Sequence, residues 1–255
     1  MAAGSTLSGP DIVETVRRRW MFRHPLLIRL AHWINVVCLA ILLMSGLQIF
    51  NAHPRLYWGQ FGADADTPWL AISGGVPFQF TLPGIRDLGA GRNWHFFFAW
   101  ALVLNGITYL AFNIFNRHFQ RDILPKKEEL KPKHLWEEVV HHAQFKRITG
   151  AAAKNYNTLQ KLAYVAVIFV LFPLIILTGL TMSPGFNAIA PILVDIFGGR
   201  QSARSLHFIA ANLLVAFLVI HLVEVVVAGA WNEIRSMITG KFVVPQGKTV
   251  AEDTQ

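Results

Sequence analysis

Four long runs of apolar residues dominate the pattern along the chain: Leu30–Phe50, Trp94–Phe115, Leu159–Met182 and Ser205–Gly229. Each reaches the roughly 20 residues that an α-helix needs to cross the hydrocarbon core of a bilayer. The polar stretches between them are an N-terminal arm (1–22), a connection over 51–93, a second over 116–158, a short third one, and a tail over 241–255. Pro25 suits the start of a helix, so the first helix should begin a turn or two before the membrane. In the second connection, Leu135, Val139 and Ala143 recur at helical spacing between basic residues. That pattern predicts a short amphipathic helix on the membrane surface. No internal repeat or low-complexity segment stands out. The expected fold is an all-α membrane protein, a four-transmembrane-helix bundle over residues 23–240.

Composition agrees with this class: 53% of the 255 residues are hydrophobic and only 15% charged, against about 25% charged in an ordinary soluble domain. Lys and Arg are unevenly placed, with 18 in residues 1–30, in 116–158 together with Lys161, and after Gly229, against 5 in the other two connections. By the positive-inside rule both termini and the second connection are expected in the cytoplasm, with 51–93 outside. The net charge of +8 is thus mostly topology and gives no reason to invoke nucleic acid. Arg17-Arg18-Arg19 before an apolar run resembles an export signal. The run is too long for one and lacks a small-residue cleavage site, so a retained helix is expected. A single cysteine, Cys38, allows no internal disulfide and no covalent haem attachment.

Histidines inside the apolar runs are the candidate chemistry. His207 and His221 lie fourteen residues apart, which is close to four full turns, so they share a helix face about 21 Å apart along the axis. His95 opens the second run and His32 the first. With the topology above, His95 matches His207 in depth near the outer surface, and His32 matches His221 near the inner one. Zinc and copper sites normally take three or four protein ligands, whereas each level here offers two imidazoles. Two axial imidazoles complete a haem iron, and the macrocycle has apolar faces that suit a helix bundle. The expected cofactors are two non-covalent b haems. Gly46 and Gly106 lie at the depths of the outer and inner haem and would leave room for a ring edge, a role that small-residue helix packing could equally fill. Glu224, one turn past His221, either snorkels or serves quinone protonation. His24, His53, His118, His134, His141 and His142 are expected to be solvated or interfacial.

The motifs RLAHW, NWHFFFAW, YNTLQKLAYVAVIFVLFPLIILTGLTMSP and H-x13-H resemble the di-haem cytochrome b membrane subunits of nickel–iron hydrogenases, formate dehydrogenases and thiosulfate reductases. The likeness runs over about residues 24–235, and the third helix looks most similar to the thiosulfate reductase branch. It implies that His32, His95, His207 and His221 are the iron ligands. It also implies an electron path in the bacterial inner membrane, between quinone and a periplasmic catalytic subunit of the molybdenum or hydrogenase type. Family precedent puts quinone near the inner haem, where Arg29, Asn35, Asn116 and Glu224 are the candidates. The aromatic-rich loop over 51–93 departs from the family pattern. It could lid the outer haem, dock a partner, or shape a pocket in which Arg55, Arg86 or Arg92 steers an anion such as superoxide in a stand-alone enzyme. A transporter of protons or ions without haem is the third class.

Overall fold

Helices of 26, 28, 25 and 40 residues form a four-helix bundle in the computed structural model, which describes residues 19–62, 66–116, 124–143 and 157–244. The first span is α1, Leu26–Asn51, and the second is α2, Leu88–Phe115. A short helix α3, Pro132–Ala143, precedes the third span. That span combines α4, Thr158–Ala166, a π-helical turn at Val167–Leu171, and α5, Phe172–Met182. Two short helices, α6 (Pro184–Ile189) and α7 (Ile192–Ile196), lead into the fourth span, α8, Arg200–Thr239. Every span is longer than the roughly 30 Å core requires at 1.5 Å per residue.

Local chemistry explains the boundaries. α2 starts at Leu88 because the Asp87 carboxylate accepts from the Ala90 amide at 2.9 Å. The last six residues of the expected 51–93 loop, 88–93, are therefore helical. Asn157 caps α4 in the same way, through the Gln160 amide at 2.8 Å. Pro173 cannot donate a backbone hydrogen bond, and the wide turn just before it, with the Phe172 amide reaching Val167, absorbs the mismatch. The apolar run of α8 ends at Gly229, whose φ of 113° bends the helix before its last ten residues.

α1 packs along α2 and α5 along α8, with sparser contact between the two pairs. We call the end that carries the 51–87 connection the loop end, and the opposite one the terminal end. At the terminal end the chain closes on itself. β1, Arg19–Phe22, pairs antiparallel with β4, Lys241–Val244, with Trp20 opposite Val243. Arg23 pairs with Glu233 at 3.1 Å and lies over the Phe242 ring, while Trp33 Nε1 donates to the Met237 carbonyl at 3.1 Å. The expected arm over 1–22 and tail over 241–255 are thus joined where they flank the bundle. Residues 1–18 and 245–255 lie outside the described residues.

At the loop end, β2 (Arg55–Leu56) and β3 (Leu70–Ala71) form a small hairpin. The first amides of α8, from Gln201 and Ser202, donate to the Gly59 carbonyl at 3.0 and 3.1 Å, so the loop supplies partners that a helix start otherwise lacks. Gly199 permits this approach, since a Cβ there would stand 2.4 Å from that carbonyl. Trp69 Nε1 donates to Ser205 Oγ at 2.9 Å, and Ser205 in turn donates to the Tyr57 carbonyl at 2.6 Å. Bonds to α8 hold this loop together with bonds to α1, where Gln48 Nε2 donates to the Ile85 carbonyl at 2.6 Å and Asn51 Nδ2 to the Val76 carbonyl at 2.8 Å.

Candidate functional site

His32 on α1 and His221 on α8 face each other near the terminal end, with ring centroids 6.4 Å apart and planes tilted by 59°. His95 on α2 and His207 on α8 repeat the arrangement near the loop end, at 6.2 Å and 59°. The four histidines therefore meet in the two pairs that depth matching predicts. An imidazole nitrogen sits about 2.0–2.1 Å from a first-row metal ion such as zinc, and the ring adds about 1.1 Å. Two imidazoles on opposite sides of one ion then have centroids roughly 6.3 Å apart, the separation found at both levels. Among the described residues no three of His, Cys, Asp or Glu gather around a common point. The donor set is two nitrogens per level, which fits an ion whose remaining positions come from a macrocycle.

Ring orientation at the loop end is set by the two helices that carry none of its ligands. Ser45 Oγ on α1 lies 3.1 Å from His95 Nδ1, and Thr178 Oγ1 on α5 lies 3.1 Å from His207 Nδ1. The next residue is glycine in both cases. A Cβ on Gly46 would stand 3.3 Å from His95 Cε1, and one on Gly179 would stand 3.3 Å from His207 Cε1. Hydroxyl and bare backbone together form a seat for each ring. Ser45 and Thr178 are themselves fully buried. The terminal-end pair is built differently: His221 stacks on Phe217 with centroids 6.0 Å apart, Trp33 meets His32 edge-on at 5.3 Å, and buried His32 Nδ1 has no hydrogen-bond partner among the described residues.

The glycines at depth have unequal surroundings. Gly46 makes room for the His95 ring itself, whereas Gly106 has nothing within 4 Å of where its Cβ would be. Sequence reasoning passed over Ser45, Thr178 and Gly179. The one available signal was a hydroxyl–glycine dipeptide in the first and third helices, each beside a helix that bears a ligand.

The other candidates disperse. Arg29 donates to the Ile238 carbonyl, and Asn35 Oδ1 accepts from Asn105 Nδ2 at 2.7 Å. Asn116 bonds back to the Phe112 carbonyl in its own last turn. Glu224 accepts from Gln160 Nε2 at 3.5 Å, on the face of α4 toward α8. On the loop end, Arg86 lies over Phe78 and Arg92 over Phe96, while the Arg55 carbonyl accepts from Arg204. His134 meets Thr158 at 3.1 Å. His118 and the side chains of His141 and His142 lie outside the described residues.

Four bilayer-length helices with two cross-bundle imidazole pairs define a class, the membrane-embedded b-type cytochrome. The chain belongs to the prokaryotic cytochrome b561 family, whose model matches residues 23–240. Membership makes it a membrane electron-transfer protein and implies b-type haem. The chain is also similar to the putative protein-methionine-sulfoxide reductase subunit YedZ1 of Azospira oryzae. The two are 33% identical over 202 residues, which cover 79% of this chain and 89% of that one. No solved structure matches the chain.

Proposed function

We propose that this chain carries electrons across the bacterial inner membrane through two b haems. His95 and His207 would hold the loop-end haem, and His32 and His221 the terminal-end one. The observation that carries this is the repetition of one imidazole separation and tilt at two levels. Bound haem supplies one-electron chemistry. The chain's own residues orient the ligands, exclude water with apolar helix faces, and exchange protons at the membrane boundary.

The excess of basic residues supports a topology with both termini in the cytoplasm and the loop end in the periplasm. A catalytic subunit docks at the loop end; that the Azospira relative is named as a subunit of a reductase supports a partner, and a molybdenum oxidoreductase is the class that the family resemblance brings with it. Trp58 and Phe61 are 52% and 82% exposed on the loop that is bonded to α8 next to His207. Aromatic residues on a fixed support suit such a contact. Quinone reacts at the terminal end, where Glu224, one turn past His221 on α8, offers a carboxyl that can exchange a proton and accepts from Gln160 Nε2 at 3.5 Å. Arg29, Asn35 and Asn116 are secondary candidates there.

Purified protein should bind about two b haems per chain. His95→Ala and His207→Ala should each remove the same haem and leave the other, and His32→Ala and His221→Ala should remove the complementary one. Haem loss that groups His95 with His32 or His221, or a preparation with no haem, would refute the assignment.

A further inference from the structure

We propose that Ser45 and Thr178 are positioning residues that lower the reduction potential of the iron held at the loop-end pair. The inference rests on the bis-histidine haem reading above. Each hydroxyl has a single proton, and each gives it to its own helix: Ser45 Oγ donates to the Ile41 carbonyl at 2.7 Å, and Thr178 Oγ1 to the Leu174 carbonyl at 2.6 Å. Toward the imidazoles they present only lone pairs. The contacts of 3.1 Å therefore require the proton on Nδ1 of both His95 and His207, which leaves Nε2 as the metal-binding nitrogen. A chain of hydrogen bonds N–H···O–H···O=C polarises along its length. Donation from Nδ1 makes the ring a stronger base at Nε2, and a more basic axial ligand favours the oxidised iron.

At the other pair, His32 Nδ1 is buried with no partner among the described residues. The same hydroxyl–glycine step occurs on α1 and on α5, with matching distances to both rings, so each loop-end ligand is treated alike.

The test is a redox titration of the full-length, haem-loaded protein, followed in the visible bands. The component that disappears in His95→Ala marks the loop-end haem. In Ser45→Ala and Thr178→Val that component should move upward, by about tenfold in the one-electron equilibrium in the double variant, or ~59 mV. The other component should stay in place. Ser45→Thr and Thr178→Ser keep the hydroxyl and should restore the wild-type value, while Thr108→Val, which removes a hydroxyl bonded only along α2, should change nothing. If an alanine variant loses its haem, Ser45→Cys supplies a poorer acceptor of similar size and should move the component upward. A component that stays fixed or moves down while haem is retained overturns the inference alone, as does an equal shift of both components. Wild-type protein without haem overturns the underlying reading and this inference with it.

Discussion

Gly46→Ala is a minimal change with a specific expected consequence. Its new methyl group would stand 3.3 Å from His95 Cε1 and 3.7 Å from Nδ1, where carbon atoms normally settle at about 3.5–4.0 Å. Something must give by roughly 0.2–0.7 Å. The ring cannot slide freely, because Ser45 on the preceding residue holds Nδ1 at 3.1 Å. Overpacking of a fitted site costs about 1–3 kcal/mol, so we expect loop-end haem to bind roughly fivefold to a hundredfold more weakly. Helix propensity works in the opposite direction, since alanine stabilises a helix interior by about 1 kcal/mol over glycine. Without iron to fix it, the ring can turn away from the methyl at the cost of its contact with Ser45, which the gain in propensity offsets, so the haem-free protein should be about as stable as wild type while haem is lost faster. Transfer of haem to an excess of a tight-binding apoprotein, read at the visible bands, separates a fast phase from a slow one. Gly179→Ala should accelerate the same phase, because its contact with His207 has the same 3.3 Å geometry. Wild-type release from both sites, or acceleration of the terminal-end phase, would refute the packing account.

Gly106→Ala meets no atom of the described residues within 4 Å, so the helices alone should accept it. Faster release of the terminal-end haem in that variant would place a ring edge there, whereas wild-type release would return Gly106 to plain helix packing. A second prediction concerns pH. Burial pushes the Glu129 carboxyl up, but the Lys161 ammonium at 2.9 Å and the Lys126 amide outweigh it and hold the group below the usual glutamate range. A depressed carboxyl contributes stability that is present above its unfolded pKa, about 4.3, and is lost as pH falls through the folded value. The thermal midpoint of wild type should thus exceed that of Glu129→Gln at neutral pH, and the gap should close on acidification below about pH 4. A gap that is constant over this range would remove the ion pair as its cause.

The large features of this protein were legible because each is forced by cost. Backbone that crosses lipid must bond to itself, so the four spans announce themselves as unbroken apolar runs. An imidazole in such a run is expensive, so His32, His95, His207 and His221 could be paired by depth alone. The pairing of Arg19–Phe22 with Lys241–Val244 was not legible. Each partner is four residues long, and nothing in either stretch encodes a match more than two hundred positions away. Gly46 was found by its depth, yet its neighbour is the His95 ring on the adjacent helix, because spacing along one helix says nothing about rotation of the next.

The third span shows where sequence reasoning loses information. It carries no histidine, so by ligand chemistry it is silent, and a threonine followed by glycine in a membrane helix reads as ordinary close packing. Only the crossing of α5 on α8 gives Thr178 and Gly179 their role, by setting both against His207. α1 does the same for His95 through Ser45 and Gly46. The loop-end site is thus assembled twice over, with the ligand on one helix of each packed pair and its seat on the other. Such a division fixes each ring within its own pair and leaves only the meeting of the two pairs to be adjusted. At the terminal end α1 supplies a ligand itself, and His32 has no seat of this kind. Two imidazole pairs with nearly the same separation, 6.4 and 6.2 Å, therefore differ in how their rings are held.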